Sequence, residues 1–235
     1  MRHTIIVLLG VLVLSGCESA GSGGGDSGYE QYAPAFPEGT GQAANGTKAY
    51  PAGPFGVGKG SIIANYKLLG NANPQKSTAL QDIELADFYN PSGDGKFEEG
   101  SIFEVGAPKP KVVLLGISAV WCGPCNYEAD VVFPPLYAKY KPLGGEFFIQ
   151  LADGATPGKA ATSKNLLNWT TKYDVDYPMA IDPSSKLSVL YEQDAFPNNI
   201  IIKTSTMEII EIAAGAQEAG GSFWKTYEKV MTGAL

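Results

Sequence analysis

Histidine and arginine are almost missing from this 235-residue chain: each occurs once, as His3 and Arg2. Both lie in an N-terminal stretch with the form of a secretory signal. Arg2 and His3 give it a short positive start, and the apolar run over 5–14 is too short to span a bilayer. Once residues 1–16 are removed, the chain holds neither residue type. That absence excludes histidine-ligated metal, Ser-His and Cys-His catalysis, and bidentate arginine recognition of phosphate. Sixteen lysines then face 24 acidic residues, a net charge of −8, so nucleic acid is not an expected partner. Cysteine is scarce too, with three in all. Cys17 stands at the end of the signal, which leaves Cys122 and Cys125 as a single pair in an oxidising compartment. A zinc site needs more ligands than that pair, and neither a metal nor a cofactor is expected.

Leu14-Ser15-Gly16-Cys17 resembles a bacterial lipobox. The resemblance implies cleavage before Cys17 and acylation of its sulfur and amine, so that two or three chains hold the protein to a lipid bilayer. An ordinary signal with an incidental cysteine, or a short uncleaved anchor, are the alternatives. Residues 17–45 are rich in Gly, Ser, Pro, Gln and Ala without an apolar period, and read as a tether with a root-mean-square reach of roughly 30 Å. Residues 46–235 fit one domain with a sizeable core. Asn45-Gly46-Thr47 and Asn168-Trp169-Thr170 match the glycosylation pattern, but matches this short are common by chance.

The chemistry-bearing motif is Trp121-Cys122-Gly123-Pro124-Cys125, directly after an apolar run over 111–118. The two thiols therefore fall where a buried strand gives way to a helix. There the first sulfur meets unpaired backbone N–H groups and the positive end of the helix dipole, which favours thiolate over thiol and lowers its pKa below about 8.5. The second thiol is within reach to close a ring. A structural disulfide is the competing reading, although a staple does not require the strand-to-helix context.

The rest of the domain reads as an early extended pair over 61–69 and 83–89, with a turn cluster at 90–95. A central strand over 111–118 leads into a helix over 123–140 that Pro134 and Pro135 should kink. A strand at 146–151, a helix near 163–173, a short strand at 179–181 and a helical turn near 187–191 follow. Strands at 198–202 and 208–213 and a helix over 222–231 end the chain. Beta-alpha-beta units closed by a hairpin and a helix describe an α/β fold, a mixed central sheet with helices on both faces.

Trp-Cys-Gly-Pro-Cys, followed some seventy residues later by Phe196-Pro197-Asn198 at the head of an apolar strand, resembles the thioredoxin-like fold. With Tyr173-Asp174-Val175-Asp176-Tyr177-Pro178 and Glu128, the chain is most similar to the membrane-tethered TlpA/ResA-like thiol-disulfide oxidoreductases from about Gly60 onward. The resemblance implies that Pro197 is cis and lies beside the disulfide, where Trp121, Phe196 and Pro197 bind an extended substrate segment. From the residues alone, a trans proline starting the strand is the alternative. Thioredoxins carry a buried aspartate at the place of Gly116, so the usual proton acceptor for the second thiol is missing. The TlpA/ResA-like branch has a glutamate at the place of Glu128, which would share a helix face with Cys125 and could take its proton. A solvated helix carboxylate is the other reading of Glu128. Asn126 stands where Lys or Arg often follows the motif, and Asn198-Asn199 replaces the common threonine after the proline.

These features imply a thiol-disulfide oxidoreductase of the cell envelope, facing the periplasm and anchored to the inner or outer membrane. Cys122 attacks a disulfide in an exported protein; Cys125, helped by Glu128, resolves the mixed disulfide. The Gly-Pro dipeptide is that of thioredoxin, at roughly −270 mV, which favours reduction and calls for a membrane thiol electron donor. A redox-inert surface binding lipoprotein with a structural disulfide is the alternative. A thiol peroxidase is a weaker one, because Ala119 stands where peroxiredoxins have threonine and no arginine is available.

Overall fold

The computed structural model describes residues 48–191 and 195–235. The signal, Cys17, the tether and Asn45-Gly46-Thr47 lie outside the described residues. Seven strands form one mixed sheet in the order β2-β1-β5-β4-β3-β6-β7. They are β1 (Lys67–Asn71), β2 (Gln81–Glu84), β3 (Val112–Ala119), β4 (Gly145–Asp153), β5 (Met179–Ile181), β6 (Asn198–Lys203) and β7 (Glu208–Ala214). Strands β3, β4 and β5 run parallel, and β1, β6 and their outer neighbours pair antiparallel. Every residue of β3 and β4 is buried, as expected of parallel strands covered on both faces. Their shared direction brings the C-terminal ends of β3, β4 and β5 to one edge of the sheet, where Ala119 hands over to the cysteine motif.

Successive strand residues face opposite ways. Phe147 of β4 meets Phe133 at 5.5 Å, Tyr137 at 5.3 Å, Trp224 at 5.7 Å and Tyr227 at 5.9 Å. These rings come from helices α3 (Phe133–Tyr140) and α5 (Ser222–Thr232). Phe148 faces away and meets Phe88 of the four-residue helix α1 (Leu85–Phe88) at 5.4 Å. Truncating a ring in such a cluster costs about 3–5 kcal/mol, so the aromatic layer fixes the helices on which the site is built.

Two expectations are corrected. The early pair is shorter than 61–69 and 83–89: β1 begins at Lys67, and the second stretch is a strand only to Glu84. There a capping box ends it, with the Glu84 backbone N–H donating to Asp87 Oδ2, and α1 follows. The helix expected over 123–140 is not continuous. It runs as α2 (Gly123–Tyr127), one π-helical turn (Glu128–Val132) and then α3. Pro134 and Pro135 have no N–H to return to the carbonyls four residues back, and Phe133 N–H instead reaches the carbonyl of Glu128, five back. Elsewhere the elements agree within a few residues, including the helix α4 (Ser163–Lys172) and a 3-10 turn (Ser188–Leu190).

Candidate active site

Cys122 is the N-cap of α2, and Pro124 occupies an early position whose N–H would have no helical partner. The Cys125 backbone N–H donates to Cys122 Sγ at 3.1 Å. A disulfide joins Cys122 to Cys125 across a Cα separation of 5.3 Å. Both cysteines are nearly covered, at 2 % and 1 % exposure. The helix start thus aims an N–H at the first sulfur, the interaction that stabilises a thiolate there.

Asn126 straps the turn from below. Its amide donates to the carbonyls of Val120, at 3.1 Å, and Cys122, at 2.6 Å, and its oxygen accepts from Tyr173 Oη and from Lys172 Nζ at 3.3 Å. Where a cation is absent from the motif itself, the end of α4 brings Lys172 beside it. The sequence offered no sign of this contact, because 46 residues separate the partners.

The exposed Trp121 donates its Nε1 proton to Asp153 Oδ2 at 2.9 Å and packs edge-on against Phe196, with centroids 5.8 Å apart. Phe196 also meets Tyr191 at 5.4 Å. The Phe196-Pro197 peptide is cis, as the family resemblance implied. The structure therefore brings Phe196, which precedes the cis Pro197, against Trp121, the residue before Cys122. Asp153 was missed in the sequence, since an acid ending a strand carries no signal of the ring it will hold.

Glu128 is fully buried, at 0 % exposure, which overturns the solvated-carboxylate reading. Its Oε1 accepts two hydrogen bonds, from Asn199 Nδ2 at 2.8 Å and from the Gln217 backbone N–H at 2.9 Å, while Oε2 is buried without a partner. Burial pushes the carboxyl up to about 7, against the opposing pull of the Gln217 and Asn199 hydrogen bonds. A carboxyl whose charge changes near neutral pH thus stands one helical turn beyond Cys125. At Gly116 an added Cβ would fall 2.5 Å from Ile149 Cδ1, so a side chain there requires that isoleucine to turn aside. Among the described residues, no group of three or more His, Cys, Asp or Glu residues could hold a metal ion.

Fold and site together define a thioredoxin-like dithiol domain, with a closable Cys122-Cys125 pair at a helix start and a buried acid one turn on. The particular likeness is to ResA. The chain is 30 % identical over 119 residues to the thiol-disulfide oxidoreductase ResA of Bacillus cereus, and 32 % identical over 106 residues to that of Oceanobacillus iheyensis. Those alignments take in 51 % and 45 % of this chain, and 64 % and 50 % of the relatives' own lengths. The fold is shared with a Chlorobium tepidum structure assigned as a thiol:disulfide interchange protein DsbE. The TM-score is 0.52 at 19 % identity, over 75 % of this chain and 99 % of that one. A Bacteroides thetaiotaomicron structure assigned as a protein disulfide isomerase superposes with a TM-score of 0.50 at 17 % identity, covering 76 % and 88 %. No protein-family model matches the chain.

Proposed function

We propose that this protein is an envelope thiol-disulfide reductase that acts on disulfides of exported proteins through Cys122 and Cys125. The observation that carries the reading is the Cys122 sulfur at the start of α2, receiving the Cys125 N–H and joined to Cys125 in a disulfide. In the reduced protein, the Cys122 thiolate attacks one sulfur of the substrate disulfide. The substrate S–S bond breaks, its other sulfur leaves as a thiolate and takes a proton from solvent, and a Cys122 mixed disulfide forms. Cys125 passes its proton to Glu128 and attacks Cys122 Sγ. That step releases the second substrate thiolate and closes the Cys122-Cys125 disulfide, so two electrons pass to the substrate. A membrane thiol donor then restores the dithiol.

Trp121 offers the exposed face against which an extended substrate segment lies, with the buried Phe196 and Pro197 behind it. Trp121 is exposed and held in place by Asp153 and Phe196, which supports that role. Anchoring rests on the lipobox-like segment ending at Cys17, with residues 17–45 as tether. No helix among the described residues is long and apolar enough to cross a membrane. The test is Cys125→Ser challenged with oxidised glutathione. The variant is expected to accumulate a stable glutathione adduct on Cys122, and Cys122→Ser to form none at comparable rate. Equal labelling of both variants would refute the order of attack.

A further inference from the structure

Asn199 is the second residue of β6 and lies directly across the β3–β6 ladder from Gly116. The two positions share one side of the sheet, the side toward which Glu128 projects. The Asn199 amide lies alongside Gly116, its oxygen 3.5 Å from where a Cβ at residue 116 would stand, an ordinary contact distance. The amide nitrogen reaches Glu128 Oε1 at 2.8 Å. The Gln217 N–H reaches the same oxygen, and its loop is pinned in turn by Trp224 Nε1 donating to the Gln217 carbonyl at 3.0 Å.

We propose that Asn199 is the positioning residue for the Cys125 proton transfer: by tying Glu128 Oε1 it leaves the buried, unpartnered Oε2 as the proton-accepting atom. The inference rests on the reading of Glu128 as acceptor of the Cys125 proton. Two donors on one carboxylate oxygen remain satisfied whether the other oxygen is bare or protonated, because a carboxylic acid keeps its carbonyl oxygen as an acceptor. Glu128 can therefore cycle between its two states without breaking the network. The amide must present nitrogen to the carboxylate, since the flipped orientation would set two acceptors against each other. Asn199 Oδ1 is accordingly the atom left buried without a partner. Threonine offers a shorter single donor at this position, and aspartate would add a like charge.

The groups that act on Glu128 are few. On its own helical stretch, Cys125 lies three residues before it. From the segment before β5 there is the buried Tyr177 phenol, which burial keeps protonated far above neutral pH. Among the described residues no lysine pairs with Glu128, so the two hydrogen bonds are what oppose burial at this carboxyl.

The experiment follows the lifetime of the glutathione mixed disulfide on Cys122. Reduced full-length protein is mixed with oxidised glutathione and quenched in acid over a range of pH. In Asn199→Ala the midpoint of the resolution profile should rise by about one pH unit or more, slowing resolution near neutral pH roughly tenfold, as expected for loss of a hydrogen bond to a charged group. In the Glu128→Gln background, Asn199→Ala should change the lifetime less than about twofold, because the residue acts through Glu128. Should Asn199→Ala fold poorly, Asn199→Thr is expected to give a smaller shift in the same direction. An unmoved midpoint in Asn199→Ala or Asn199→Thr overturns the proposal, as does equal slowing in both backgrounds. A Glu128→Gln lifetime equal to wild type overturns instead the reading on which it rests.

Discussion

Replacing Glu128 by glutamine should flatten the pH dependence of stability in a way the buried carboxyl dictates. Its folded pKa is about 7 against an ordinary 4.5, so between these values the native state holds a proton that the unfolded chain has released. The native state consequently loses stability as pH rises from about 4.5 to about 7, and the loss levels off above. At about 1.36 kcal/mol per unit, the full gap of about 2.5 units corresponds to about 3.4 kcal/mol. Of this, about 2.5 kcal/mol falls between about pH 5 and about pH 8. Glutamine does not titrate, so the difference between the two proteins isolates a single carboxyl. Glu146, Asp176 and Asp182, all raised chiefly by burial, contribute to both proteins alike and cancel. The assay is guanidinium unfolding of the oxidised proteins at several pH values. Relative to Glu128→Gln, wild type should lose about 2.5 kcal/mol over that interval. The absolute offset is set separately by the new buried NH2 group, which costs about 1–3 kcal/mol if unpaired. Parallel stability curves would refute the reasoning, because they would mean that Glu128 does not titrate near neutrality in the folded protein.

Two other outcomes follow from the geometry. After reduction, Cys122 should react with iodoacetamide well below the usual thiol range of pH and much faster than Cys125, since only its sulfur receives an N–H of the helix start; equal alkylation of the two thiols would count against this. Cys17→Ala should move the protein from the membrane to the soluble fraction while leaving disulfide reduction by the purified domain unchanged, because residues 17–45 separate anchor from site.

The parts of the site that depend on local order were legible in the sequence. A cysteine pair after a continuous apolar run dictates a strand-to-helix junction, whereas the cis state of Pro197 came from the family resemblance, since the residues alone fit a trans proline starting the strand equally well. Glu128 could be singled out by its spacing from Cys125, but its burial could not. That burial is completed by Asn199 and Gln217, 71 and 89 residues further on, which meet it only because β6 lies beside β3 and the loop after β7 folds back under α5. The same limit hid Asp153 under Trp121 and Tyr173 under Asn126. The misread stretch after Glu84 is different, since a local signal was present. Ile83, Leu85 and Tyr89 alternate like a strand, yet the acid at Glu84 and another three residues later form a capping box that outweighs the alternation. The π-helical turn was likewise announced by Pro134 and Pro135, whose missing N–H groups act on the turn ahead of them.

The central claim is that the Cys122-Cys125 pair cycles as a reductant instead of serving as a staple. The most direct measurement is the reduction potential of that pair, read from the thiol-disulfide equilibrium of the full-length protein against dithiothreitol and glutathione buffers. The account predicts a reversible two-electron couple near roughly −270 mV, the value typical of thioredoxin. A couple near roughly −120 mV would assign the opposite direction of electron flow, and a disulfide that resists both buffers would leave the pair purely structural.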